Sequence, residues 1–453
     1  MFKTILNVFR IPDLKKKILI TGLLLVLYRL GSFIPIPGVN AGQLSEYFKQ
    51  QSGSLFDMLN LFVGGNLEQG SIFALGIMPY ITASIVIQLL GSIVPYFEKL
   101  RKEGADGQKK LNQITRYSTV ALAAFNAITI TFSLVRMTGS TGSVVPNPGF
   151  LFHFTGIVTL VTGTMIVMWL GEQITEHGIG NGISLIIFAG IISRYPQGLI
   201  TMFTTNVADI KFSPFSVSWG SIPDMLIFIL SIGIMVGVTA AIIFVTEAIR
   251  KIPVQYAKRI VGRRVYGGQS TYIPLRVNTA GVIPIIFAQS ILMFPATIIS
   301  IFQGGNPVQG TFAYGLLRAF SPGHIVYTVV YVGLIIFFAY FYTAIVLNPT
   351  EMAENMVKYG GHIPGKKPGK KTAEYISSVL TRITLPGAIF FAFVALLPEL
   401  MRGIFDLPFQ FGGTGLIIVV GVALDTLKQI ESHLVMRHYD GFMKKGKLRG
   451  RSS

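Results

Sequence analysis

Long apolar runs with very few charges recur ten times along this chain, and that recurrence decides what the chain can fold into. They fall at about 18–37, 72–95, 117–137, 153–171, 182–203, 222–246, 279–303, 324–347, 376–398 and 412–430, each close to the ~20 residues that carry a helix across a bilayer. A soluble core has no use for so many. A transmembrane barrel would show alternating segments of ~10 residues, and none are present. Only 13% of residues are charged, against roughly 25% in soluble domains. The expected fold class is all-α, a polytopic membrane protein of about ten transmembrane helices.

The charges that remain are sorted by side. Of the 38 Lys and Arg residues, thirty fall on the face that holds both termini and about six on the other. Positive charge collects on cytoplasmic loops, so both termini are expected in the cytoplasm. The net charge of +18 follows mainly from this sorting, with binding of acidic partners or anionic lipids a further use of the same residues. There is no cysteine, which excludes disulfides, iron–sulfur clusters and thiolate metal sites. The apolar run after Lys15, Lys16 and Lys17 lacks a small-residue cleavage site and reads as a first span, not a removable signal peptide.

Two long excursions lie on the basic side. Residues 247–278 carry β-formers around Arg263 and Arg264 and a Gly267–Gly268 pair, the pattern of a hairpin-like protrusion. Residues 350–372 hold YGGHIPGKKPGKK, too rich in Gly and Pro for helix. On the opposite side, 54–65 (SLFDMLNLFVGG) is amphipathic and too short to span, and reads as a re-entrant half-helix. The second and seventh spans echo each other: Gly76, Pro79 and Ile81 in one, Gly281, Pro284 and Ile286 in the other. Two five-span halves, 1–203 and 204–453, would then lie in opposite orientation, with the interrupted helices at the working interface.

Catalytic chemistry is hard to find. The six histidines are scattered, with no metal-ligand spacing, and no span carries paired carboxylates near its centre, as an ion-coupled pump would need. Gly360 to Lys366 fits most of a phosphate-binding loop, but Lys367 stands where Ser or Thr must hold magnesium, and Pro364 removes an N–H. Gly178, Gly180 and Gly182 fail the dinucleotide fingerprint because Ile183 occupies the third glycine position; they read as a flexible approach to a helix. No cofactor or metal is expected. Ile77, Ile81, Ile183, Ile187, Ile286 and Ile418 sit near helix-breaking Gly or Pro. Taken singly each suits ordinary packing or lipid contact first, and together they also suit a hydrophobic constriction that gates by dewetting. Pattern alone leaves both readings open.

Longer segments bring in a family. FALGIMPYITASIVIQLL (73–90), MWLGEQITEHGIGNGISLIIFAGI (168–191), GRRVYGGQSTYIPLRVNTAGVIPIIFA (262–288) and FGGTGLIIVVGVALDTLKQIES (411–432) resemble the SecY family, the channel-forming subunits of the bacterial Sec protein translocase. The resemblance runs over essentially the whole chain, and the basic GRRVYGGQ run looks bacterial.

The resemblance implies an hourglass channel in the plasma membrane that passes unfolded secretory polypeptides and releases apolar segments sideways into lipid. Carried onto matching positions, the pore ring is Ile77, Ile81, Ile183, Ile187, Ile286 and Ile418. The plug is Leu55, Phe56, Met58, Leu59, Leu61 and Phe62, and the lateral gate is lined by Gln88 and Asn278. Arg250, Lys251, Lys258, Arg259, Arg263, Arg264, Lys366 and Lys367 would dock the SecA ATPase or a ribosome. The implied partners are SecE and SecG, SecA, the ribosome, signal peptides with unfolded secretory or membrane proteins, and anionic lipids. In PGKKPGKK the family usually has arginine at the position of Lys367, so a bidentate fork is replaced by a point charge. The rival reading is a secondary transporter with inverted repeats, which predicts a polar midplane site not found in these spans.

Overall fold

The computed structural model describes residues 11–50, 60, 63–137, 142–198, 200, 222–256, 259–261, 264–266, 270–303, 312–321, 323–405 and 413–445. In chain order the helices are α1 (Pro12–Gly31), α2 (Ala41–Gln50), α3 (Met78–Ile93), α4 (Pro95–Lys102), α5 (Ala105–Arg136), α6 (Phe150–His177), α7 (Gly182–Ile192) and α8 (Ile222–Glu247). They continue with α9 (Ile283–Gln303), α10 (Phe312–Ala319), α11 (Ile325–Val346), α12 (Pro349–Lys358), α13 (Lys370–Phe405) and α14 (Gly413–Lys445). All ten expected spans are therefore met by helix, and the protein is an all-α polytopic membrane protein. Among the described residues six helices are long and apolar enough to cross a bilayer unaided, or seven if the bent pair α3–α4 counts as one span.

That bend is 96°, and its cause is local. Val94 precedes Pro95, whose ring disfavours helical backbone in the residue before it, and Val94 is extended at ψ 120°. It closes α3 and opens α4 at once.

The chain divides into two compact units, Met1–Pro196 with Ala296–Gly315 and Val422–Ser453, and Gln197–Pro295 with Leu316–Gly421. In the first, α5 packs on both α3 and α6. Its buried face carries a small residue every fourth position: Thr115, Thr119, Ala123, Ala127 and Thr131. Gly156 of α6 meets Thr131 so closely that an added Cβ would lie 2.8 Å from the threonine methyl. Lipid gives helices no hydrophobic reason to associate, so close backbone approach through small residues supplies the contact instead. The threonine hydroxyls donate to the carbonyls of Leu111, Thr115 and Ala127 one turn back, so none of these three hydroxyls is left bare in the seam.

The α6–α7 connection is tight. A Cβ on Gly182 would collide with the carbonyl oxygen of Gly171. The Asn181 side chain caps α7 by accepting from the Ser184 N–H at 3.2 Å, and Gly182 N–H donates to Thr175 Oγ1 at 2.9 Å. The glycines expected to give a flexible approach instead serve close packing.

In the second unit α11 packs along α13, and a three-stranded sheet projects from the helices in the order β4 (Ser270–Arg276), β1 (Ile249–Tyr256), β5 (Gly361–His362). β1 and β4 pair antiparallel from Ile249–Arg276 to Gln255–Ser270, the hairpin expected of residues 247–278. Beyond it, β2 (Arg259–Val261) and β3 (Arg264–Tyr266) extend the protrusion. Residues 350–372 depart from expectation: their first third is helix α12, capped by Asn348, whose Oδ1 accepts from the Thr350 and Glu351 N–H groups. The helix-breaking glycines and prolines act only after Lys358.

Candidate functional site

The first four residues expected in a pore ring lie in the first unit as two pairs, each spaced by one helical turn. Ile77 is the N-cap of α3 and Ile81 lies one turn on, its N–H donating to the Ile77 carbonyl at 3.1 Å. Both are buried. Ile183 and Ile187 stand on α7. Ile187 is buried and Ile183 half-buried, its Cγ1 3.3 Å from where a Cβ on Gly171 would lie. In the second unit Ile286 lies in the first turn of α9, its N–H bonded to the Val282 carbonyl at 3.3 Å. Ile418 lies near the start of α14 and is fully buried. All six stand within seven residues of a helix start. Their side chains offer no hydrogen bond and no charge, so they can exclude water but cannot hold an ion or a specific ligand.

The two residues expected at a lateral gate differ. Gln88 is exposed on α3, its amide bonded to Ser84 Oγ at 3.1 Å. Asn278 is half-buried and lines a cavity of about 20 Å³ with Thr343, Thr384, Gly387 and Phe391. Leu55, Phe56, Met58, Leu59, Leu61 and Phe62 lie outside the described residues.

Sequence reasoning missed a polar cluster built around Glu68. Asn60 is fully buried, and its amide donates to Glu68 Oε2 at 3.0 Å while its Oδ1 accepts from the Glu68 N–H at 3.0 Å. The same carboxylate accepts from Ser45 Oγ at 3.2 Å and pairs with Arg194 Nη2 at 2.7 Å. Asn66 donates to the buried Tyr28 hydroxyl at 3.2 Å. The only available signal was a lone acid just before one apolar run and a lone base within another, 126 residues apart.

The basic candidates gather on the sheet. β1 takes β4 on one edge and β5 on the other, through Gln255–His362 and Tyr256–Gly361, so the two excursions share one platform. Beneath it Ile252, Val254, Leu275, Met356, Ile363, Ile376 and Leu380 form a common core. Arg250 and Lys251 are exposed on β1, and Lys251 Nζ sits 4.7 Å from the Tyr272 ring centre. Lys366 and Lys367 are exposed past β5, and Lys366 Nζ lies 5.1 Å from the Tyr375 ring centre. Cation–π contacts of this kind hold lysines in place without neutralising them. Arg259 begins β2 and Arg264 begins β3; Lys258 and Arg263 lie outside the described residues.

Comparison with known proteins covers the whole arrangement. The sequence profile of the SecY family matches residues 71–427. The protein translocase subunit SecY of Escherichia coli (strain K12) is 47% identical over 439 residues, covering 97% of this chain and 96% of that one. The subunit of the same name from Halalkalibacterium halodurans is 48% identical over 447 residues, covering 98% and 100%. Among solved structures, one described as the structure of a protein conducting channel matches with a TM-score of 0.62 at 19% identity, over 93% of each chain. Sec61 in the canine ribosome-channel complex from the endoplasmic reticulum matches with a TM-score of 0.60 at 18% identity, again over 93% of each.

Proposed function

This chain belongs to the SecY family, and from that premise we propose how it works as the protein-conducting channel of a plasma-membrane translocase. The observation that carries the reading is identity near 47% along 97% of the chain to named protein translocase subunits. The rest is assigned by the chemistry of the residues. Ile77, Ile81, Ile183, Ile187, Ile286 and Ile418 form the constriction, in a channel of two inverted halves, 1–203 and 204–453. Its substrate has no fixed side-chain pattern, so a recognising pocket would be useless, whereas branched aliphatics slide past any sequence and still dewet when the chain is absent. Residues 55–62 plug the resting channel. Gln88 and Asn278 line the slit through which a segment of ~20 apolar residues leaves for lipid, where its helix is stable.

The basic sheet is the docking platform and faces the cytoplasm with both termini. Arg250, Lys251, Lys258, Arg259, Arg263, Arg264, Lys366 and Lys367 present their charge to SecA or to ribosomal phosphates, and the wider basic surface favours anionic lipids. SecE and SecG complete the complex. The channel itself needs no bond-making chemistry, because the motor or the ribosome supplies the drive.

Vesicles holding this chain with SecE, SecG and SecA are expected to protect a secretory precursor from external protease when ATP is added; no protection beyond chain-free vesicles would remove the reading. Lys367→Glu is expected to slow that SecA-driven step by about tenfold or more while the channel still inserts. Parental rates in the variant would free Lys367 of any coupling role.

A further inference from the structure

We propose that Glu68 and Arg194 are a positioning pair that sets the aperture of the constriction on the side built by α3 and α7; the inference rests on the channel reading. Residues 63–77 form a run of turns that delivers the chain to Ile77. The run turns on itself through backbone bonds such as Ser71 N–H to the Asn66 carbonyl at 2.9 Å, and its contacts beyond itself include the second ring helix. A Cβ on Gly64 would lie 2.5 Å from the Gly190 Cα, so the segment touches α7 at its backbone. Close by in the chain, Glu68 pairs with Arg194, two residues past the end of α7.

The pair is built as a fixed point. Its side chains are only 23% and 27% exposed, and the carboxylate also receives Asn60 and Ser45. On the neighbouring helix α1, Arg29 reaches the Gly64 carbonyl at 3.5 Å and Tyr28 receives Asn66. Arg194 stands seven residues after Ile187, two helical turns at most. One end of the pair therefore tethers the approach to Ile77 and Ile81, and the other tethers the helix of Ile183 and Ile187. An aliphatic ring seals by excluding water, and a change in width of about one water molecule decides whether it stays dry. Removing either partner leaves the other charge largely buried and unpaired, a larger penalty than breaking a surface bridge. The slackened segment then lets the ring open at rest.

The test measures resting anion leak in membrane vesicles in which this chain is the channel subunit. Glu68→Arg and Arg194→Glu are each expected to raise the leak about tenfold, the scale of one lost charge-assisted hydrogen bond in the closed packing. The combined swap is expected to leak less than either single variant without reaching the parent, because the ion pair is restored while a guanidinium at 68 cannot accept from Asn60 and Ser45. Glu68→Gln, the gentler change, raises the leak several-fold. Glu98→Lys, which breaks the exposed pair with Lys102 at 2.6 Å, leaves it unchanged. Parental leak in inserted Glu68→Gln and Glu68→Arg overturns the inference, as does a swap that leaks no less than either single variant. The same vesicles carry a stalled secretory chain and a single cysteine at Ile81. If the stalled chain cross-links there while the leak does not move, only the positioning role falls. If it does not cross-link, the channel reading falls first.

Discussion

At Gly76 the backbone turns with φ of +53°, and at Gly281 with φ of +66°. Each glycine stands two residues before its helix, and in each helix the second residue is proline, Pro79 in α3 and Pro284 in α9. Glycine supplies the left-handed turn without a Cβ penalty, and proline fits a first helical turn because its missing N–H has no partner there. The turns into α3 and α9 share one backbone solution and differ in what surrounds it. A Cβ on Gly76 would come 3.0 Å from Val63 Cγ1, whereas one on Gly281 would meet nothing within 4 Å among the described residues. The repeated residues specify a conformation. They do not specify the packing, which at Gly76 comes from the segment held by Glu68 and at Gly281 is absent among the described residues.

Substitutions can pull these two contributions apart. Gly76→Val carries both the strained backbone and the clash with Val63, and is expected to cost about 3 kcal/mol, read as lost resistance to denaturant in detergent. Gly281→Val carries the strain alone and is expected to cost about 1–2 kcal/mol. Asparagine tolerates the left-handed region, so Gly76→Asn should retain about 1 kcal/mol of the penalty, from crowding, and Gly281→Asn nearly none. Equal costs at the two sites within each series would mean that Val63 yields freely and that the comparison has no energetic content.

The sequence made the helices legible and left the contacts between distant segments hidden, for physical reasons. Each expected span met helix because lipid demands long apolar runs, but the ends shifted. α1 begins at Pro12 and α5 at Ala105, since a helix continues through lysines once it leaves the apolar layer. α3 begins only at Met78, because Gly76 must turn first. The six isoleucines could be picked out only through family resemblance, since an isoleucine in a membrane helix is ordinary. The pairing of Gln255 with His362 and the ion pair of Glu68 with Arg194 left no local mark. Both join residues more than a hundred positions apart, and only the folded chain supplies their spacing. Helix α12 was hidden by the glycine- and proline-rich run after it.

The central claim is that a polypeptide passes the aliphatic ring, and the absence of cysteine makes it directly testable. Single cysteines at Ile81, Ile187 or Ile286, with Leu334 on α11 as a control, are placed opposite a secretory chain stalled in transit and bearing one cysteine of its own. Disulfides at the three ring positions and none at Leu334 are the predicted result. Bound, stalled chains that form no disulfide at any ring position would contradict the account and place the conduit elsewhere.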